Sequence, residues 1–313
     1  MGVQTSMRVS GVSEVSPGLV LANSGGKNMF VQSSGPSALD DLPPGMAGNA
    51  DGFFTSVQAA LASARTGRGD YIICLPGHVE SIAAANAWSN LGTKTDITVQ
   101  CVGDGTNRPT FTWTVAAASL LLSAANVRIR NARLFLAGPH SAGSALTVAA
   151  PITISATGNE LTDCEIAWGF NATQIVGIGI TTTAAATKLK FNRNDCYAET
   201  LAVPTTTFLR LTGTDFFECD GTRIIGPGST TAIGPVQQLT TAALKVNVKN
   251  SLFSSTLAGS TIAFTAMAGS TGTMFLCGLG TLAAGNGITS GSGIQVMGTW
   301  SAVAGAAGVL ATG

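Results

Sequence analysis

A chain of 313 residues is long enough to bury a large core, and its composition excludes several function classes. The 16 Lys and Arg balance the 16 Asp and Glu, so the basic excess that neutralises nucleic-acid phosphates is missing and no nucleic-acid partner is expected. Only 10% of residues are charged while 45% are hydrophobic, the reverse of a disordered chain.

Residues 1–50 read as an extended arm. The clusters "NSGGKN" and "SSGPSALDDLPPGMAG" carry few periodic apolar positions, and Pro43 and Pro44 oppose helix. The opening "MGVQTSMRVSGVSEV" has no apolar run between a basic start and a small-residue cleavage site, so secretion by a signal peptide is not expected. The longest weakly apolar stretches, 115–127 and 301–311, fall short of the roughly 18 to 20 residues a membrane helix needs, and no membrane partner is expected.

The stretch "ADGFFTSVQAALASARTGRGD" (50–70) places Phe54, Val57, Ala60, Leu61 and Ala64 at helical spacing, with Gly67 and Gly69 as stop signals. It predicts one amphipathic helix over 53–65, standing before the first strand and able to cover an open sheet end. "RGDYIICLPGHVESI" (68–82) follows. Arg68-Gly69-Asp70 abuts a strand containing Tyr71 and Ile73, which makes the tripeptide architectural. His78 and Glu80 lie beyond a Pro-Gly turn. A general base or metal ligand at His78 lacks support, because the only other histidine is His140 and no matching carboxylate pattern accompanies it.

Beyond residue 70, short strand-like pieces separated by Gly, Asn, Pro and Thr replace helical periodicity. "VRIRNARL" (127–134), "ELTDCEI" (160–166), "KLKFNRNDCY" (188–197), "FFECDGTRII" (216–225) and "LKVNVKNSLF" (244–253) share a pattern. In each, apolar residues precede an Asn or Asp, and another follows about three positions later. Marking Asn131, Asp163, Asn194, Asp220 and Asn250 gives spacings of 32, 31, 26 and 30, with the frame slipping by about one residue at Asn194 and Asp220. A near-30-residue period of strand and turn predicts a right-handed parallel β-helix, whose coils bury their apolar faces only by stacking. Val127, Ile129, Leu161, Leu189, Phe191, Val246 and Val248 are expected to line the bore. The recurrent Asn and Asp are expected to turn a corner in left-handed geometry. Low charge is expected because like charges repeated at one register would repel.

The six cysteines, at 74, 101, 164, 196, 219 and 277, show no CxxC pair or zinc spacing. Their apolar surroundings predict buried free thiols. Asp163 with Glu165, and Glu218 with Asp220, would share a strand face in extended backbone and are the candidate acid–base pairs for glycoside chemistry. Corner placement and solvation account for them equally, and no basic cluster is evident beside them. "GDGTNRP" (103–109) lacks the ending and following helix of a phosphate loop. The organisation expected is an arm (1–50), a capped β-helix (51–266) and a Gly/Ala-rich segment (267–313) that caps the solenoid or meets another subunit. Trp300 is a candidate anchor for that contact.

"ADGFFTSVQAALASARTGRGDYIICLPGHVESI", "CVGDGTNRPTFTW", "LLLSAANVRIRNARL" and "ITISATGNELTDCEI" together resemble β-helical virion structural proteins of tailed bacteriophages, over about residues 50–255. In that family a short helix, a "GD.I...PGH.E" strand-turn and a "G.G..RPTF" turn introduce repeats of the form "V.I.N..F". The family's "GsDsnDG" stretch before the helix is reduced here to "GNADG". The resemblance implies a non-enzymatic capsid decoration or cement protein, a homotrimer on the outer face of the major capsid protein shell. Such a protein is made in the host cytoplasm and carried on the virion. It brings no catalytic, cofactor-binding or metal-binding residue. The rival expectation is a tail fibre or tailspike component that binds or depolymerises polysaccharide.

Overall fold

Alternation gives each short run one apolar face that is too small to fold alone and is buried only when a similar run stacks on it. The computed structural model describes residues 26–34, 52–138, 145–170, 173–198, 207–212, 216–226, 234–238, 245–256, 262–281, 287–288, 293–298, 300–303 and 309–310. One coil shows the plan. The strands Arg128–Arg130, Arg133–Leu136 and Ile152–Ile154 lie on three successive faces. The chain then returns one storey along, with Glu160–Thr162 beside the first, Glu165–Trp168 beside the second and Ile178–Thr182 beside the third.

Repetition builds three long sheets, a first face of eleven strands, a second of ten and a third of seven, beside one two-stranded sheet of Leu146–Val148 and Gln174–Val176. Among the described residues these pairings are parallel, except where Val309–Leu310 runs antiparallel to Trp300–Ser301. The architecture is a right-handed parallel β-helix.

The bore is apolar. Val127, Ile129, Leu161, Leu189, Phe191, Val246 and Val248 are all buried, as the alternation predicts. Each such side chain contributes roughly 1.5–3 kcal/mol relative to exposure. Trp168 stacks on Phe208 with ring centroids 4.4 Å apart, and the indole N–H of buried Trp113 donates to the Pro151 carbonyl at 3.1 Å.

After the first two coils, which use the longer turns 75–78 and 102–109, the corner between the first and second faces is turned by one left-handed residue per coil: Asn131, Asp163, Arg193, Gly221, Asn250, Leu276 and Gly298, with φ between 48° and 62°. Three of the residues marked from sequence hold this place. The other two marks were a residue out, because Arg193 and Gly221 make the turn. Asn194 points inward and Asp220 ends the preceding strand.

The residue after each corner is small or polar and buried: Ala132, Cys164, Asn194, Thr222, Ser251 and Cys277. Except at Ala132, its side chain bonds the backbone of the coil before it. The Cys164 amide donates to Asn194 Oδ1 (2.9 Å), the Asn194 amide to Thr222 Oγ1 (3.2 Å), and the Thr222 amide to Ser251 Oγ (3.2 Å). Buried amides need such acceptors wherever the strand ladder is interrupted. Asp96, Asn126 and Lys188 form a second left-handed series at the corner entering the first face, where Asn126 donates to Asp96 at 2.9 Å.

Three boundaries differ from the sequence expectation. Residues Asn28–Val31, placed in the arm, form a strand of the first face between Phe53–Phe54 and Tyr71–Cys74. The helix begins at Val57 and ends at Ser63, because Phe53 and Phe54 are held as strand and Ser56 caps the first turn, accepting from the Ala59 amide. The coil also continues past 266, through Thr271–Phe275, Gly278–Thr281, Gly293–Met297 and Trp300–Val303. The arm outside residues 26–34, with Pro43 and Pro44, lies outside the described residues, as do His140 and the side chain of Trp300.

Candidate functional site

The helix Val57–Ser63 buries Val57, Ala60 and Leu61 against the first coil, and two charged side chains from that coil grip its ends. At the N-terminus the Val57 amide donates to Glu80 Oε2 at 2.8 Å. The same carboxylate contacts His78 Nε2 at 3.2 Å and accepts from the Trp88 indole at 3.1 Å. His78 is fully buried, its ring 5.7 Å from that of Phe111, and its Nδ1 has no hydrogen-bond partner. At the C-terminus Lys94 Nζ donates to the carbonyls of Leu61, Ala62 and Ala64 at 2.7, 2.9 and 2.5 Å. Burial pulls the Lys94 ammonium below its ordinary pKa, with the field of Asp70 opposing. A carboxylate at the positive end of a helix and an ammonium at the negative end both complement its dipole. Glu80, held by His78 and Trp88, and Lys94 therefore act as the clamp of the cap.

Asp70 of the Arg-Gly-Asp tripeptide is fully buried. It accepts from the Lys27 amide (2.7 Å), the Arg65 amide (2.7 Å) and Arg65 Nη2 (3.1 Å). Burial pushes its carboxyl up, but these donors outweigh burial and hold it below its ordinary value. A carboxylate so enclosed is not available to an integrin-type receptor. "GDGTNRP" is likewise a packed turn: the Asn107 carbonyl accepts from the Gly77 amide at 2.6 Å, and the Gly103 carbonyl accepts from Asn131 at 2.9 Å.

The two carboxylate pairs fare differently. Asp163 stands at the left-handed corner and Glu165 opens the next strand, so they do not share a strand face. Glu218 and Asp220 do, on one outward row of Phe216–Asp220. Each of the four is engaged by a residue of an adjoining coil. Arg193 holds Asp163 through two bonds of 2.7 and 2.8 Å. Glu165 takes Arg133 at 2.9 Å and the Tyr197 hydroxyl at 2.8 Å. Asn192 donates to Glu218 at 3.2 Å, and Asn250 to Asp220 at 3.0 Å.

These contacts belong to a charged band along the corner. Arg128, Glu160, Lys190 and Glu218 occupy one register on successive coils, with Arg128–Glu160 at 3.6 Å and Lys190–Glu218 at 4.0 Å. Asp195 and Arg223 form a two-bond pair at 2.6 and 2.8 Å. Side-chain hydrogen bonding from Asp163 and Asp195 raises the pKa of Arg193 and Arg223 respectively, against the opposing effect of burial. The basic residues not evident beside the carboxylates in sequence thus arrive from the coils on either side. Sign alternates at the Arg128, Glu160, Lys190 and Glu218 register, whereas Glu165 and Asp195 are adjacent on the second face and each takes its arginine, Arg133 or Arg223, from the coil on its far side.

Beside this band, Arg133 lies over the Phe135 ring at 4.8 Å, and Phe135 meets Phe170 edge-on at 5.1 Å. The sequence held the components of this half-buried aromatic group but not their juxtaposition.

All six cysteines are free and buried. Cys74 and Cys101 face each other in register. Burial pushes the Cys164 thiol and the Cys219 thiol up to about 12, which removes the thiolate that redox or nucleophilic chemistry requires. Among the described residues no three His, Cys, Asp or Glu side chains converge as a metal-binding group, and no helix is long and apolar enough to cross a membrane. No protein-family model, no curated protein and no solved structure matches the chain.

Proposed function

We propose that this protein is a non-enzymatic structural component of a bacteriophage virion, a decoration or cement protein seated as a homotrimer on the outer surface of the major capsid protein shell. The observation that carries this reading is the corner band: the carboxylates best placed to act as acid and base are committed to ion pairs and hydrogen bonds that fasten coil to coil. A side chain fixed by two bonds to a neighbouring guanidinium gives rigidity, and it is poorly placed to shuttle a proton. A stiff solenoid offers long, regular faces, and a standard interface of roughly 1,600 Å² can be built from them without a single chemical centre. The motif resemblance over residues 50–255 points the same way. The test is microscopy of intact particles at side-chain resolution. Density for the β-helix on the head surface supports the reading, and density confined to the tail ends it.

The half-buried rings of Phe135, Phe170 and Tyr197 beside Arg133 and Glu165 favour a second reading, a tail fibre or tailspike component that grips polysaccharide. Sugar rings stack on aromatic faces while charged groups take their hydroxyls. Titration with host surface polysaccharide tests it. Saturable binding lost in Tyr197→Ala, with no release of reducing ends, would favour an adhesin over both the depolymerase and the capsid role.

A further inference from the structure

Lys249 is the last charged side chain of the sequence, and residues 250–313 contain no Asp, Glu, Lys, Arg or His. The strands Thr271–Phe275, Gly278–Thr281 and Gly293–Met297 therefore build storeys of the solenoid with no charge on any face. Phe275, Leu276 and Met297 are 43%, 50% and 48% exposed, which makes them three of the five large hydrophobic side chains exposed among the described residues. They form one patch. Phe275 and Met297 are register partners, and the Leu276 amide donates to the Met297 carbonyl at 3.0 Å.

Leu276 carries a second cost. It occupies the left-handed corner place at φ 52°, which Asn131, Asp163, Arg193, Gly221, Asn250 and Gly298 fill on other coils. All of these but Arg193 are types that tolerate the conformation, and every one leaves a polar group or nothing in water. Leucine does neither. Strain and exposure coincide at one side chain, and residues held so are found at contact sites.

We infer that the charge-free C-terminal coils are a self-association surface, with Leu276 at its centre and the same coils of a second copy as its occupant. Charge distribution selects that occupant. A charged partner surface would lose hydration against these coils and gain no opposing charge. The charged corner band of this chain, from Arg128 to Lys249, would suffer the same loss, which excludes packing of one copy's C-terminal coils on another's band. Like meets like: the same coils of every copy gather around one symmetry axis, and a rotation that closes, as in the proposed trimer, ends the assembly where an open one would propagate into a filament. The inference rests on the proposed function only in its homo-oligomer part and is independent of capsid binding.

The test is sedimentation velocity of the full chain at micromolar concentration, beside Leu276→Asn, Met297→Lys and a control, Val115→Lys, which charges another exposed apolar side chain, 39% exposed, outside these coils. Asparagine suits the corner, since it already fills it at 131 and 250, so Leu276→Asn should keep the strand-dominated circular dichroism and melt no earlier than the wild-type monomer. Expected is an oligomeric wild type and control, with the dissociation constant raised at least about tenfold in both other variants. A monomeric wild type, folded variants that still assemble, or a control that dissociates equally would each overturn the inference. Oligomers that dissociate as expected but whose wild type fails to bind heads would sink the capsid reading alone.

Discussion

Glu80 and Lys94 hold opposite ends of the same seven-residue helix: the Val57 amide donates to Glu80 Oε2 at 2.8 Å, and Lys94 Nζ donates to three carbonyls from Leu61 to Ala64. So short a helix is not stable alone. Its hydrogen-bond ends are completed by the coil it covers, so cap and coil should come apart together.

The first prediction concerns this clamp. Lys94→Met strips the helix C-terminus of its donors and should cost about 1–2 kcal/mol. Glu80→Gln turns one acceptor into a donor facing the Val57 amide or the Trp88 indole, and should cost about 1–3 kcal/mol. The double variant should cost less than the sum, since a helix released at one end gains little from the other. Hydrogen exchange of the 57–63 amides, with urea titration for the total, measures this. Strict additivity would mean that the two residues do not share the helix.

Asp70 gives the second prediction, with a defined pH window. Its carboxyl is held below its ordinary 3.8 by Lys27 and Arg65 in spite of burial. Because the folded pKa is the lower one, the contribution is fully present above the unfolded value and is lost as pH falls through the folded value. Asp70→Asn should be about 1–3 kcal/mol less stable at neutral pH, since an amide cannot accept from both backbone N–H groups. The gap should close below pH 3.8. Thermal melts from pH 7 down to pH 2 would show it, and a gap that stays constant would assign the loss to packing instead.

Much of the fold is legible in the sequence because its signals are periodic. Alternation at Val127/Ile129 and Leu189/Phe191 directly encodes which side chains face the bore. The corner is legible where Asn or Asp turns it, at Asn131, Asp163 and Asn250. It fades at Arg193, Gly221 and Leu276, which share a backbone conformation and no chemistry. The Asn28–Val31 strand is hidden in a Gly/Ser-rich context, and only its pairing with Tyr71–Cys74 defines it. The clamp is legible in part. His78 and Glu80 stand out in "PGHVE", whereas the partners of Lys94 are backbone carbonyls 30 to 33 residues earlier, which no side-chain pattern announces.

The third prediction follows from the burial of all six thiols. At pH 8 the native protein should react with a thiol-specific disulfide reagent only as fast as it unfolds, because thiols such as Cys164 and Cys219, pushed up to about 12, present almost no thiolate. All 6 cysteines should react rapidly in guanidinium. Fast modification of even one in the native state would show that a coil opens locally, and mass mapping would identify which.

The fourth prediction tests whether the corner band joins coils. Asp195 and Arg223 are register partners on the second face, bonded at 2.6 and 2.8 Å and about half exposed. Arg223→Asp adds a third carboxylate to the Glu165 and Asp195 register and removes the cation beside Asp195, so that like charges repel along three adjacent strands. The double exchange Asp195→Arg with Arg223→Asp restores opposite signs. The single variant should lose stability and the double should regain most of it, with a coupling of about 0.2–1 kcal/mol as expected for exposed pairs. That coupling should shrink between low salt and 1 M salt, where the Debye length falls to about 3 Å. A salt-independent loss that the exchange does not recover would mean that packing of the Arg223 stem, rather than its charge, fastens one coil to the next.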